Sequence, residues 1–208
     1  RLVECVPNFS EGRRREVVDQ ILDTLAAVPG VTLLDREMDP DHNRSVVTFA
    51  GEPEAVLEGA FQAIARAARL IDLNQHQGQH PRMGATDVVP FVPVEGVTLD
   101  DCAELARRLG KRVGEELAIP VFLYEAAASA PARTALADVR RGEFEGLREA
   151  IGKDPARKPD FGPERIHATA GATAIGARRF LVAFNANLAT ADVRVARAVA
   201  AAIREQGG

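Results

Sequence analysis

The 208-residue sequence predicts an α+β fold, and three observations carry that prediction. Apolar residues alternate between strand-like runs and helical spacing along the chain. Pro and Gly sit where one pattern gives way to the other. The elements that result open in the order strand, helix, strand, strand, helix, strand.

Leu2 to Val6 reads as a short buried strand, ended by Pro7-Asn8, with Ser10 placed to cap the next helix. That helix carries Val17, Ile21, Leu25 and Val28 on one face, and Pro29-Gly30 stops it. Val31 to Leu34 is a second strand, Asp35 to Asn43 a polar loop, and Ser45 to Ala50 a third strand rich in Val and Thr. Leu57, Phe61, Ile64, Ala68 and Ile71 mark a second helix. Asn74 to Ala85 has no period and holds Gly78, Pro81 and Gly84, so it reads as a loop. Val88 to Val94 is a fourth strand, and Pro90 and Pro93 predict an edge or kinked position for it. This opening is the split βαβ order, βαββαβ, of ferredoxin-like domains with a mixed or antiparallel sheet.

Leu99 to Leu117 is a third helix, with Asp100 and Asp101 near its positive end. Pro120 to Tyr124 is a fifth strand, and Ala132 to Ile151 is mostly helical with a break near Gly142. Gly152 to Gly176 is rich in small residues and longer than most loops, a length that is usually functional or a linker. Phe180 to Phe184 is a sixth strand, and Thr190 caps a last helix with Val195, Val199 and Ile203.

Hydrophobic residues at 46% and charged residues at 27% predict a packed core. A net charge of -4 argues against a general nucleic-acid binder, which needs a basic face. No apolar run approaches the roughly 20 residues of a membrane helix, and the start has no signal-peptide pattern. Cys5 and Cys102 lie far apart, which fits a reduced, cytoplasmic setting better than a disulfide scaffold. Arg1 at the start and Gln206-Gly207-Gly208 at the end suggest a piece of a longer chain.

Four segments have side chains suited to chemistry. His76-Gln77-Gly78-Gln79-His80-Pro81-Arg82-Met83-Gly84-Ala85-Thr86-Asp87 gathers two of the four histidines, an arginine and a carboxylate, and imidazole is the side chain best suited to move protons near neutral pH. Local hydrogen bonding is the plain alternative. A metal site is disfavoured, because Gly78 and Pro81 prevent the helix that would bring His76 and His80 together. Asp39-Pro40-Asp41-His42-Asn43-Arg44-Ser45 makes a good turn or a polar pocket wall, with Arg44 able to hold a carboxylate through two hydrogen bonds. Asp160 to Arg178, with Gly162, Gly171 and Gly176, is a linker or a loop along which a flat ligand approaches the backbone. It is not a phosphate-binding loop, since the Gly-Lys-Ser/Thr ending is missing. Val6-Pro7-Asn8-Phe9-Ser10-Glu11-Gly12 is a strand-to-helix turn that offers Asn8 to a site at the strand ends.

Together these segments resemble the formiminotransferase family. The resemblance rests on Leu2-Val3-Glu4-Cys5-Val6-Pro7-Asn8-Phe9-Ser10-Glu11-Gly12, His80-Pro81-Arg82-Met83-Gly84-Ala85, Asp160-Phe161-Gly162-Pro163 and Phe184-Asn185, in order over nearly the whole chain. It implies transfer of a formimino group from N-formimino-L-glutamate to tetrahydrofolate as co-substrate, without metal. It implies a first ferredoxin-like subdomain over residues 1–177, the opening of a second over 178–208, folate between them, and a homodimer. The family's catalytic histidine falls on His80. Its folate-contacting segment falls on Gly162, Pro163, Glu164, Arg165, Ile166, His167, Ala168, Thr169, Ala170 and Gly171. Arg44 and Arg82 are candidates to hold substrate carboxylates, and Asn8 and Asn43 to hydrogen-bond the pterin or the donor. Glu37, Asp39 or Asp87 would stabilise the amidinium. A non-catalytic folate-binding module, a formyl transferase acting with 5-formyltetrahydrofolate and a metal-dependent hydrolase are the alternatives.

Overall fold

The computed structural model describes residues 1–181 and 188–207, the side chains of 204–207 excepted. One mixed sheet holds seven strands: β1 (Leu2–Cys5), β2 (Asn8–Phe9), β3 (Val31–Asp39), β4 (Arg44–Gly51), β5 (Thr86–Glu95), β6 (Val121–Glu125) and β7 (Thr173–Ala177). β1 and β2 are successive halves of one lane between β4 and β5, paired antiparallel to both. The spatial order is therefore β3, β4, β1/β2, β5, β7, β6. Its first four lanes are antiparallel and have the ferredoxin-like order. β7 and β6 extend them in parallel.

Helices α1 (Arg15–Ala26), α2 (Pro53–Leu70) and α3 (Leu99–Glu116) pack on one face of the sheet. Val17, Ile21, Leu25, Phe61, Ile64, Leu105 and Leu109 meet Cys5, Phe9, Val47, Phe49, Val89, Phe91 and Ile175 there. Neighbouring strand residues point the other way, as the period of two requires. Val88, Phe122, Tyr124 and Ala174 face a second, smaller cluster with Met83, Val139, Leu147 and Ile151. That cluster is closed by α4 (Leu136–Val139) and α5 (Glu143–Ala150), separated by Gly142 at φ 85°. Among the described residues the second face is thus covered over β5, β7 and β6. At the other half, Asn8, Arg44 and Val46 look out from β2 and β4, half-buried.

Several elements differ from the sequence reading. β3 continues to Asp39 instead of stopping at Leu34, because a bulge between Leu33 and Asp35 resets the alternation and Leu34 is left exposed. β3 is an edge strand, and its charged residues suit an edge. β5 is central, not at an edge. Pro90 lies level with the break between β1 and β2, and Pro93 sits at a register shift opposite Val3. Neither proline has to donate where a ladder bond is due. Thr173–Ala177, read as part of a loop, is β7, buried along its whole length. Its small side chains hid it: a Cβ on Gly176 would stand 2.6 Å from the Tyr124 ring.

Ser10 does not cap α1; its hydroxyl donates to the Gly84 carbonyl at 2.7 Å. The Glu11 carboxylate instead accepts the backbone N–H groups of Arg13 and Arg14, both at 2.9 Å. Thr98 and Asp101 form a capping box on α3. Of the strand expected over Phe180 to Phe184, residues 182–184 lie outside the described residues, and Phe180 and Leu181 are exposed and in no strand. α6 (Val193–Gly207) follows, with Val193, Val195 and Val199 exposed. Cys5 and Cys102 are free and buried. Burial lifts the Cys5 thiol far above its usual range and pushes Cys102 up to about 11. Among the described residues no helix is long and apolar enough to cross a membrane.

Candidate active site

The loop from Asn74 to Ala85 is fixed on several sides. Met83 to Ala85 runs antiparallel against Ala170 to Ala172, with Ala85 N–H donating to Ala170 O and Ala172 N–H to Met83 O, both at 2.9 Å. Gly84 and Gly171 face each other in this bridge. A Cβ on Gly84 would stand 1.8 Å from the Ala172 carbonyl oxygen, so only glycine fits. Ser10 N–H adds a bond to Ala85 O at 2.9 Å. Asn43, in the left-handed region at φ 51°, joins two more loops: its Oδ1 accepts Gly12 N–H at 2.9 Å and its Nδ2 donates to Gln77 O at 3.0 Å.

The two histidines of the loop have different partners. His76 donates from Nε2 to Asn43 O at 2.8 Å and accepts at Nδ1 from Arg82 Nε at 3.2 Å. Burial, with the charges of Arg82 and His80, holds its pKa below the usual imidazole value against the Asn43 bond. His76 is a neutral strut. His80 is 4% exposed, and its Nε2 lies at hydrogen-bond distance, 3.2 Å, from Asp87 Oδ2. Asp87 is fully buried. Its Oδ1 accepts Met83 N–H at 2.8 Å and its Oδ2 lies 2.5 Å from Arg140 Nη2. The other ring nitrogen of His80, Nδ1, has no hydrogen-bond partner among the described residues and is not among their sealed-off polar atoms. The ring is thus held at one nitrogen and unengaged at the other.

Arg82 is also buried. It forms a two-pronged pair with Glu145 at 2.7 and 2.8 Å, lies 3.6 Å from Glu143 and rests over the Phe144 ring. The Glu145 carboxylate raises its pKa further. Its charge is answered inside the protein, where the sequence reading had it meet a substrate carboxylate.

Arg44 is placed differently. Its Nη1 donates to Asn8 Oδ1 at 3.3 Å, its Nε is buried without a partner, and it lines a cleft of about 460 Å³ with Glu37, Asp39 and Val46. Asp39 is held below its usual pKa by the backbone N–H of His42 foremost and by the His42 ring. The cleft therefore offers two carboxylates and one guanidinium. The His42 carbonyl accepts the His80 N–H at 3.3 Å, which ties the cleft wall to the His80 loop. Asn43 and His76 line a second hollow of about 400 Å³ with Glu11, Arg13 and Arg14. Burial would raise the Glu11 pKa, but the N–H groups of Arg14 and Arg13 and the Arg14 guanidinium bring it down overall.

The segment from Gly162 to Gly171 splits in two. Gly162, at φ 83°, abuts Gly114 and the Ile119 carbonyl. Half-buried Pro163 and exposed Glu164 and Arg165 continue from it, and Ile166 packs against both clusters. His167 to Gly171 turns back beside the His80 loop. His167 Nδ1 accepts the Ala170 N–H at 3.0 Å, Thr169 O accepts Leu73 N–H at 2.9 Å and Ala168 O accepts Asn74 Nδ2 at 2.8 Å. Burial lowers the His167 pKa.

The structure thus brings His80, Asn43, Arg82 and the second half of this segment together, with Asn8 and Arg44 across the His42 turn. Sequence reasoning missed Arg140, Glu145 and Glu143. All lie more than 50 residues from their partners in the loop, on a stretch read only as helical, and no spacing or motif announces them. Asp87 was considered as a partner for an amidinium; it holds His80 instead.

A carboxylate-anchored imidazole and a cleft of mixed charge, tied together through the His42 turn, sit on a ferredoxin-like sheet, an arrangement chemically able to move protons. The formiminotransferase domain, N-terminal subdomain, matches residues 2–178, and the chain belongs to that family. It is 48% identical over 208 residues to the glutamate formimidoyltransferase of Streptococcus pyogenes serotype M1, covering all of this chain and 69% of that protein. With the glutamate formimidoyltransferase of Thermoplasma acidophilum the identity is 52% over 209 residues, and 68% of that protein is covered. It is also 49% identical over 207 residues to the formimidoyltransferase-cyclodeaminase of Rattus norvegicus, of which it covers 38%.

Proposed function

We propose that this chain transfers the formimino group of N-formimino-L-glutamate to tetrahydrofolate, giving 5-formiminotetrahydrofolate and glutamate. The observation that carries the proposal is its identity of 48% and 52%, over the whole chain, to two proteins named glutamate formimidoyltransferase. His80 supplies the proton transfer such a reaction needs.

The donor carries its one-carbon group as an amidine, cationic when protonated. The position-5 nitrogen of tetrahydrofolate attacks that carbon, and a tetrahedral centre forms between two nitrogens. The attacking nitrogen loses a proton, the bond from carbon to the glutamate nitrogen breaks, and that nitrogen gains a proton. One imidazole between the two nitrogens serves both transfers, help typically worth about 10²–10⁴-fold in rate. The cleft with Glu37, Asp39 and Arg44 suits a ligand that is both amidinium and carboxylate. Arg44, rather than Arg82, carries the donor carboxylate in this proposal, and Asn8 steadies Arg44. The segment from Gly162 to Gly171 takes the folate. Residues 1–177 act as a first subdomain and 178–208 as the opening of a second, in a cytoplasmic homodimer.

The test is His80→Ala in the protein at its full natural length, assayed at saturating donor and folate. Turnover falls by about 10²–10⁴-fold; near-normal turnover removes His80 from the reaction. Arg44→Ala weakens donor binding about tenfold or more while folate binding changes little, read by titration calorimetry. An equal loss for both ligands reassigns Arg44.

A further inference from the structure

Two elements far from His80 in sequence reach its loop, and both come from the α4–α5 excursion. Glu145 on α5 takes Arg82, and the Phe144 N–H donates to the Arg82 carbonyl at 2.9 Å. Arg140, in the turn after α4, places Nη2 2.5 Å from Asp87 Oδ2, the oxygen that also lies 3.2 Å from His80 Nε2. Arg140 Nε is buried with no partner, so among the described residues Asp87 alone accounts for the inward position of that guanidinium. We propose that Arg140 is a positioning residue for the proton transfer: it keeps Asp87 ionised and aimed, and Asp87 then fixes His80 with its hydrogen on Nε2 and Nδ1 as the nitrogen that takes and returns the proton. The inference rests on the role of His80 given above and names the acting atom within it.

The chemistry follows from the contacts. A carboxylate with no solvent exposure is costly to keep charged unless a cation and hydrogen bonds compensate it. Arg140 supplies the cation, and the Met83 N–H occupies the second oxygen at 2.8 Å. An ionised Asp87 can only accept, so the ring must present N–H to it. The partner of one ring nitrogen thereby selects the tautomer, and the other nitrogen keeps its lone pair. Remove the guanidinium and Asp87 keeps only the Met83 N–H and the His80 ring, with no cation to aim the oxygen that meets Nε2. The ring then loses its single orientation. Met83 and Asp87 border the loop on one side, and His76 and Arg82 supply the other titratable and charged groups near the ring.

The experiment combines kinetics with nitrogen-15 spectra of histidine-labelled protein at full natural length, with His80 assigned by the signal that His80→Gln removes. The wild-type ring shows hydrogen on Nε2 and none on Nδ1. Arg140→Ala mixes the two tautomers and lowers kcat by about 10- to 100-fold, with KM for both substrates within about threefold. Arg140→Lys keeps the charge without the fork, retains the Nε2–H form and loses only a few-fold in kcat. A wild-type ring protonated on Nδ1 overturns the inference. So does a folded Arg140→Ala protein with an unchanged ring spectrum, or with unchanged kcat. Should Arg140→Ala not fold, Arg140→Lys decides: loss of the Nε2–H form with full kcat overturns the inference. These failures leave the proton-transfer role of His80 standing, whereas normal turnover in His80→Gln removes that role, on which the inference rests, and leaves the transferase reading itself untouched.

Discussion

The His80 loop is gripped from two sides, by different means. Toward β7 the grip is main chain on main chain: Gly84 against Gly171, Ala85 against Ala170, Ala172 against Met83. Toward α4 and α5 it is mostly charge on charge, Arg82 with Glu145 and Asp87 with Arg140, beside a single main-chain bond from Phe144 N–H to Arg82 O. The first grip fixes where the loop is and tolerates no added atom. The second fixes how its side chains point and responds to salt, pH and substitution. A loop that must hold a ring still and also move protons needs both.

Gly84→Ala attacks the main-chain grip and has the largest expected effect. Its Cβ would meet a backbone oxygen at 1.8 Å, and backbone cannot swing aside as a side chain can. A loss of about 3 kcal/mol or more is expected, read as a lower denaturant midpoint that added salt does not change. Wild-type stability would show that the bridge carries little. Glu145→Ala attacks the other grip. Arg82 stays buried and keeps Glu143, at 3.6 Å, as its carboxylate, with His76 Nδ1 and the Phe144 ring beside it. Because the Glu145 side chain is 56% exposed, the loss is about 1–2 kcal/mol, and it shrinks in concentrated salt. Equal losses at low and high salt would mean that this side, too, is held by packing.

The smallest effect concerns His76, which ties Arg82 of the charged grip to the Asn43 turn. Its folded pKa lies below the unfolded value of about 6.5, so the unfolded chain binds the proton first. Above that pH His76 is neutral in both states and contributes no slope. As pH falls below it, stability declines until the folded pKa is reached. His167, lowered by burial as well, adds a slope of the same sign. The informative quantity is therefore the change on replacing His76 alone: His76→Gln flattens the decline in melting temperature between about pH 6.5 and 5. An unaltered slope would show that His76 is not the neutral strut between Asn43 and Arg82.

Legibility in the sequence followed the same division. Elements with one buried face kept their period, so α1 and α2 and the ferredoxin-like order could be read from Val17, Ile21, Leu25 and Leu57, Phe61, Ile64. β7 is buried on both faces and made of small residues, so it shows no alternation at all. β3 loses its period at the bulge beside Leu34. Pro90 looked like an edge signal because the break in the neighbouring lane that accommodates it is a tertiary fact. At the site, the motif residues Ser10, Asn43, His80 and Gly171 were visible as segments, and their main-chain contacts join those segments directly. Arg140 and Glu145 were not visible, since a charge on a helix is ordinarily a solvated one and only the fold shows which charges turn inward.

The two shielded sulfurs of Cys5 and Cys102 give the molecule a built-in clock. Both sit in the large core cluster, the first on the lane that every antiparallel pairing with β5 passes through, the second on α3. A thiol-reactive dye cannot reach either one while the sheet and its helices stay together, and neither readily forms the reactive thiolate there. Dye uptake under native conditions therefore counts how often that layer opens, with no engineered probe.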